Sequence, residues 1–115
     1  MAALLAACGS TAPPHSEYFV IEFLPGTPAP SGAGVDALGA AVADAKRAPP
    51  ARIVIEGAKP ADGVEPVIER QRTEAVFAAF ARGGVDTKRI EVRLLPTTPQ
   101  GYAQRRDSLI VRLGY

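Results

Sequence analysis

Residues Ile68–Val76 read IERQRTEAV. Ile68 and Val76, with Phe80 beyond them, recur at multiples of four residues, which marks one face of a helix. The spacing predicts a helix from about Val64 to Arg82, stopped by Gly83-Gly84, because glycine takes the left-handed conformation that closes a helix. Arg72 falls in the same apolar row. An arginine in such a row either lays its stem along the core with its head in water or is held by a partner. Read on its own, it is more readily a surface arginine beside Glu69, three residues away, a pairing worth only a few tenths of a kcal/mol.

Working outward, Ile90, Val92 and Leu94 alternate with Glu91 and Arg93, the pattern of a strand with one polar face. Pro96–Gln104 reads as a loop and Ser108–Leu113 as a last strand, near enough to the strand before it to form an antiparallel pair. Upstream of the helix, Gly57–Gly63 (GAKPADG) reads as a loop and Arg52–Glu56 (RIVIE) as a nearly continuous apolar interior strand. Before Pro49-Pro50, the residues Val35, Leu38, Val42 and Ala45 are spaced as one face of a first helix, with Ser31 as its N-cap. Tyr18–Phe23 (YFVIEF) is the first strand candidate, followed by a loop through PGTPAPSGAG. The order β-α-β-α-β-β predicts an α+β fold, two main helices packed on a mixed four-stranded sheet in two layers.

The chain of 115 residues suits one domain. Its hydrophobic fraction is 47%, but much of that is alanine, so the core rests on a limited set of Val, Ile, Leu and Phe. A net charge of +1 gives no footprint for nucleic acid. Residues 1–63 hold four basic and six acidic groups and residues 64–115 nine and six, an asymmetry too small to name a partner. One cysteine excludes an internal disulfide framework and a cysteine-built metal site.

That cysteine ends the run MAALLAAC. Leu5-Ala6-Ala7-Cys8 resembles the lipobox of bacterial lipoproteins, a Leu and two small residues before the cysteine. The resemblance implies a signal-peptide tail over residues 1–8, lipid on Cys8, and an outer-membrane anchor facing the periplasm. No Lys or Arg precedes the apolar run, which departs from the usual signal peptide. Residues 9–17 are polar and Pro-containing and read as a tether, with His15 solvated within it.

The order and four segments of residues 18–115 resemble the OmpA-like domain, found at the C-terminus of OmpA and in peptidoglycan-associated lipoproteins. The segment from Phe23 (FLPGTPAPSG) is similar to the family's F-D-x-x-x-x-x-P-x-G approach to its first helix. Ile55-Glu56-Gly57 is similar to the end of its second strand. IERQRTEAV, followed by Gly84-Val85 and Arg89-Ile90, resembles its L-S-x-x-R-A-x-x-V helix and the G-V turn after it. Gly101–Val111 (GYAQRRDSLIV) resembles its closing G-x-x-x-N-R-R-V-E-I strand.

The resemblance implies a ligand, the diaminopimelate of the peptidoglycan stem peptide. In the family a loop aspartate takes the ammonium and a helix arginine takes the carboxylate, for which a planar two-donor fork is suited. Arg72 falls at the family arginine. Where the family has T-D, this chain has Lys59-Pro60 in a loop about three residues shorter, and Asp62 is the nearest carboxylate for the ammonium if the loop reshapes. The family's F-D reads Phe23-Leu24, and Gln104 stands for its asparagine before Arg105-Arg106.

Enzymatic chemistry finds no support. The twelve carboxylates show no singled-out pair, His15 and Cys8 make no nucleophile–base pair, and no metal or nucleotide motif is present, so neither catalytic residues nor cofactors are expected. Two functions remain. One is an envelope lipoprotein that ties outer membrane to cell wall by non-covalent peptidoglycan association. The other is an OmpA-like scaffold that has lost that ligand and binds an envelope protein partner, which the missing aspartate and Lys59 motivate.

Overall fold

The computed structural model describes residues 15–58, 66–95 and 107–115. Within them the elements run β1 (Ser16–Glu22), α1 (Gly32–Arg47), β2 (Arg52–Ala58), α2 (Pro66–Arg82), a short 3-10 turn (Thr87–Arg89), β3 (Ile90–Leu95) and β4 (Ser108–Gly114). The expected lipid-bearing Cys8, Lys59, Asp62, Gln104 and Arg105-Arg106 lie outside the described residues.

The four strands form one sheet in the order β1-β4-β2-β3. β4 pairs antiparallel with both β1 and β2, so β1 and β2 run the same way with β4 between them. β2 pairs parallel with β3. Both helices lie on one face, and the α+β sandwich expected from the sequence is the architecture observed.

The expected pairing of the last two strands is corrected. β4 does not join β3; it inserts between β1 and β2. The physical reason is burial. Leu109, Val111 and Leu113 are buried beneath the helices and Ile110 is half-buried on the opposite face, so β4 fits a central place. β3 presents exposed Glu91 and Val92 and takes the edge. Two boundaries also move. β1 begins at Ser16, two residues earlier than read, since Ser16 and Glu17 pair with Gly114 and Leu113. β2 runs on through Gly57 and Ala58, which the sequence places in a loop. His15, read as solvated, stacks its ring on Tyr115 with centroids 5.0 Å apart.

Helix α1 starts where Ser31 Oγ accepts the Gly34 N–H at 3.1 Å, and its last turn carries Lys46 and Arg47 at the negative end of the dipole. Its buried face is Gly34, Leu38, Ala41 and Ala45, which shares Leu38 and Ala45 with the predicted row; Val42 is half-buried and Val35 is 57% exposed. Small residues decide this. Gly34 sits so close to the end of β1 that a methyl there would overlap the Glu22 carbonyl. Helix α2 opens on Pro66, a favourable first position. It closes with Val85 N–H bonded to Phe80 O and Gly84 N–H to Ala81 O, around Gly84 at φ 82°, a Schellman stop. Val76 and Phe80 of α2 join Leu38, Ala41 and Ala45 of α1 over Ile21, Ile53, Ile55 and Val111 of the sheet.

Candidate functional site

Arg72 projects from α2 into the gap between the β1–α1 loop and the start of β4. It is 2% exposed. Its Nε–H donates to Thr27 O at 2.7 Å, and Nη2 donates to Leu24 O at 3.3 Å and to Asp107 Oδ1 at 3.0 Å. Its guanidinium carbon lies 5.0 Å from the centre of the Phe23 ring, within the range of a cation–π contact. Of the two readings open in the sequence, a head held by partners is the one observed. The pairing is with Asp107, not a surface contact to Glu69.

The β1–α1 loop is built to meet this head. Leu24 N–H bonds to Ala29 O, and Thr27 N–H and Oγ1 donate to Leu24 O, which folds the loop so that the carbonyls of Leu24 and Thr27 face α2. Gly26 supplies the positive φ, 68°, that the turn requires. Asp107 then fastens it twice. Its backbone carbonyl accepts from Phe23 N–H at 2.8 Å, and its Oδ1 accepts from Gly26 N–H at 3.3 Å as well as from Arg72.

Glu69 stands one turn before Arg72 on α2. Its Oε1 is buried with no hydrogen-bond partner among the described residues. Burial pushes the Glu69 carboxyl above its ordinary value near 4.5; Arg72 opposes this and Asp107 adds to it. The described cluster thus sets two carboxylates against one guanidinium.

The apolar row drew notice to Arg72 and the resemblance named it as the ligand arginine; the structure buries its head among partners, where the row alone favoured a surface position. Sequence reasoning missed Asp107, and it weighed Glu69 only as a surface partner of Arg72. Asp107 carries a signal in hindsight: it falls where the resembled strand has V in N-R-R-V-E-I, a charged residue in place of an apolar one. Elsewhere, a cleft of about 330 Å³ lies among Pro49, Pro50, Val85 and Arg89 and shares no residue with this cluster. Among the described residues no group of His, Cys, Asp and Glu is placed to hold a metal ion, and no helix is long and apolar enough to cross a membrane.

No family model matches this sequence, and no curated protein matches it. Solved structures do. The OmpA-like domain of FopA1 from Francisella tularensis superposes with a TM-score of 0.68 at 13% identity, over 88% of this chain and 73% of that one. The fold is that of an OmpA-like domain. An outer membrane protein from Borrelia burgdorferi is also similar, with a TM-score of 0.57 at 17% identity, covering 85% of this chain and 86% of that one. Arg72, which the sequence resemblance marks as the family's helix arginine, lies on α2 of this fold. The β1–α1 loop that wraps its head is the segment similar to the F-D-x-x-x-x-x-P-x-G approach.

Proposed function

We propose that this chain is a non-enzymatic cell-envelope module that associates non-covalently with peptidoglycan, and that Arg72 holds a carboxylate of the stem peptide. The observation that carries the reading is the buried guanidinium at the position of the resembled family's ligand arginine, set in a loop whose carbonyls fix its plane. A pre-oriented fork loses little entropy when it takes a carboxylate. Asp62, between β2 and α2 in the sequence, is the ammonium partner in this reading. Lipid on Cys8 would anchor the module in the outer membrane at its periplasmic face. Such an anchor raises the effective concentration of a weak wall contact.

A second reading has support of its own. Arg72 already has a carboxylate partner in Asp107, and the helix-free face of edge strand β1 exposes Tyr18 (62%) and Val20 (53%) beside the Arg112–Glu56 ion pair. An OmpA-like scaffold that has lost the wall ligand and binds an envelope protein would look this way. Co-sedimentation of the Cys8→Ser chain with purified sacculi separates the two. Wall binding predicts that the parent pellets and that folded Arg72→Lys stays largely in solution, because a lysine loses the two-donor fork. A folded parent that remains in the supernatant rejects wall association through this site.

A further inference from the structure

We infer that Asp107 sets the affinity of Arg72 for an external carboxylate, because it occupies the guanidinium as a carboxylate from within the chain. The inference rests on the reading of Arg72 as the residue that receives the ligand. It names a binding-tuning role for a residue that the family pattern leaves apolar.

The argument is geometric. Asp107 Oδ1 lies 3.0 Å from Nη2, so an incoming carboxylate that engages the same nitrogen must displace it. If it approaches beside Asp107 instead, two like charges share one guanidinium, and in a site as buried as Arg72 their repulsion is poorly screened. Glu69, one turn away on the same helix, adds a second carboxyl to the cluster and deepens the disadvantage. Asp107 is 26% exposed at its side chain against 2% for Arg72, so it stands on the solvent side of the pair. A ligand therefore meets Asp107 first.

The two functions of Asp107 separate by chemistry. Its backbone carbonyl and its Oδ1 hold Phe23 and Gly26 of the loop, and these bonds need an acceptor oxygen but no charge. Asp107→Asn keeps the acceptor and removes the charge. The loop then stays fastened while the guanidinium faces a neutral, weaker acceptor that an incoming carboxylate displaces more readily.

The experiment is an NMR titration of the Cys8→Ser chain with free diaminopimelate, following the Arg72 Nε–H and the Gly26 and Thr27 amides. It is run on the parent, Asp107→Asn and Asp107→Ser, each first shown folded by circular dichroism. Asp107→Asn should bind about tenfold more tightly or better, the exchange of one charge-assisted hydrogen bond, with the Arg72 Nε–H shifting. Asp107→Ser should also gain. Equal or weaker binding in both variants, no binding in either, or tighter binding that leaves the Arg72 signal unmoved overturns the inference. Sacculi binding, scored separately, distinguishes the two claims. A gain for free ligand by a chain whose parent ignores sacculi upholds the role of Asp107 and rejects wall association. A parent that pellets but shows no gain on Asp107→Asn does the reverse.

Discussion

Arg72→Ala should cost this fold about 3 kcal/mol. The guanidinium makes three described hydrogen bonds, and their loss is unequal. Leu24 O keeps the Thr27 Oγ1 donor at 3.0 Å, and Asp107 Oδ1 keeps Gly26 N–H at 3.3 Å. Thr27 O loses its 2.7 Å donor. A hydrogen bond to a charged group contributes about 1.5–3 kcal/mol, and an acceptor left buried costs about 1–3 kcal/mol. Asp107, about a quarter exposed, recovers part of its hydration, which holds the total below the upper part of the 3–5 kcal/mol range for breaking a fully buried pair. For a domain of this size, about 3 kcal/mol lowers Tm by roughly 12–15 °C. Arg72→Lys retains the charge without the fork and should fall about halfway. Thermal unfolding followed by circular dichroism measures both, and a double-mutant cycle with Asp107→Ala isolates the pair. A drop of less than about 3 °C for Arg72→Ala, a small fraction of that shift, would refute the claim that this arginine clasps the β1–α1 loop to α2.

Gly34→Ala should destabilise by about 2 kcal/mol or more, because its methyl would overlap the Glu22 carbonyl where α1 meets the end of β1; urea denaturation reads this, and a neutral result would mean the junction is looser than described. Glu69→Gln should stabilise the fold at neutral pH and have little effect in acid. With the folded carboxyl raised by burial, ionising it costs stability as pH climbs from its ordinary value near 4.5, whereas below that value both states are protonated. Unfolding curves of parent and variant at pH 4 and pH 7 check the sign, and a variant less stable than the parent at pH 7 contradicts it.

Much of the architecture was readable because it rests on local rules. Ser31, Pro49-Pro50 and Gly83-Gly84 mark helix limits by local chemistry alone, and Ile90 to Leu94 alternate visibly. What failed depends on contacts distant in sequence. The place of β4 follows from burial on both its faces, whereas nearness in sequence suggested a pairing with β3. The buried face of α1 adds to the predicted Leu38 and Ala45 the residues Gly34 and Ala41, too small to register in an apolar row. Arg72 announced itself, but its partners stand 35, 45 and 48 residues away, and two of them are backbone carbonyls that no side-chain pattern reveals. Asp62 and Cys8, whose roles the resemblance implies, lie outside the described residues.

The most direct measurement is competition. The Cys8→Ser chain is bound to sacculi, free diaminopimelate is titrated in, and the protein released to the supernatant is quantified. If Arg72 holds the stem-peptide carboxylate, free ligand releases the parent, and a folded Arg72→Lys chain pellets poorly from the start. If the parent never pellets, or pellets and is not released by the ligand, the site around Arg72 does not carry wall association.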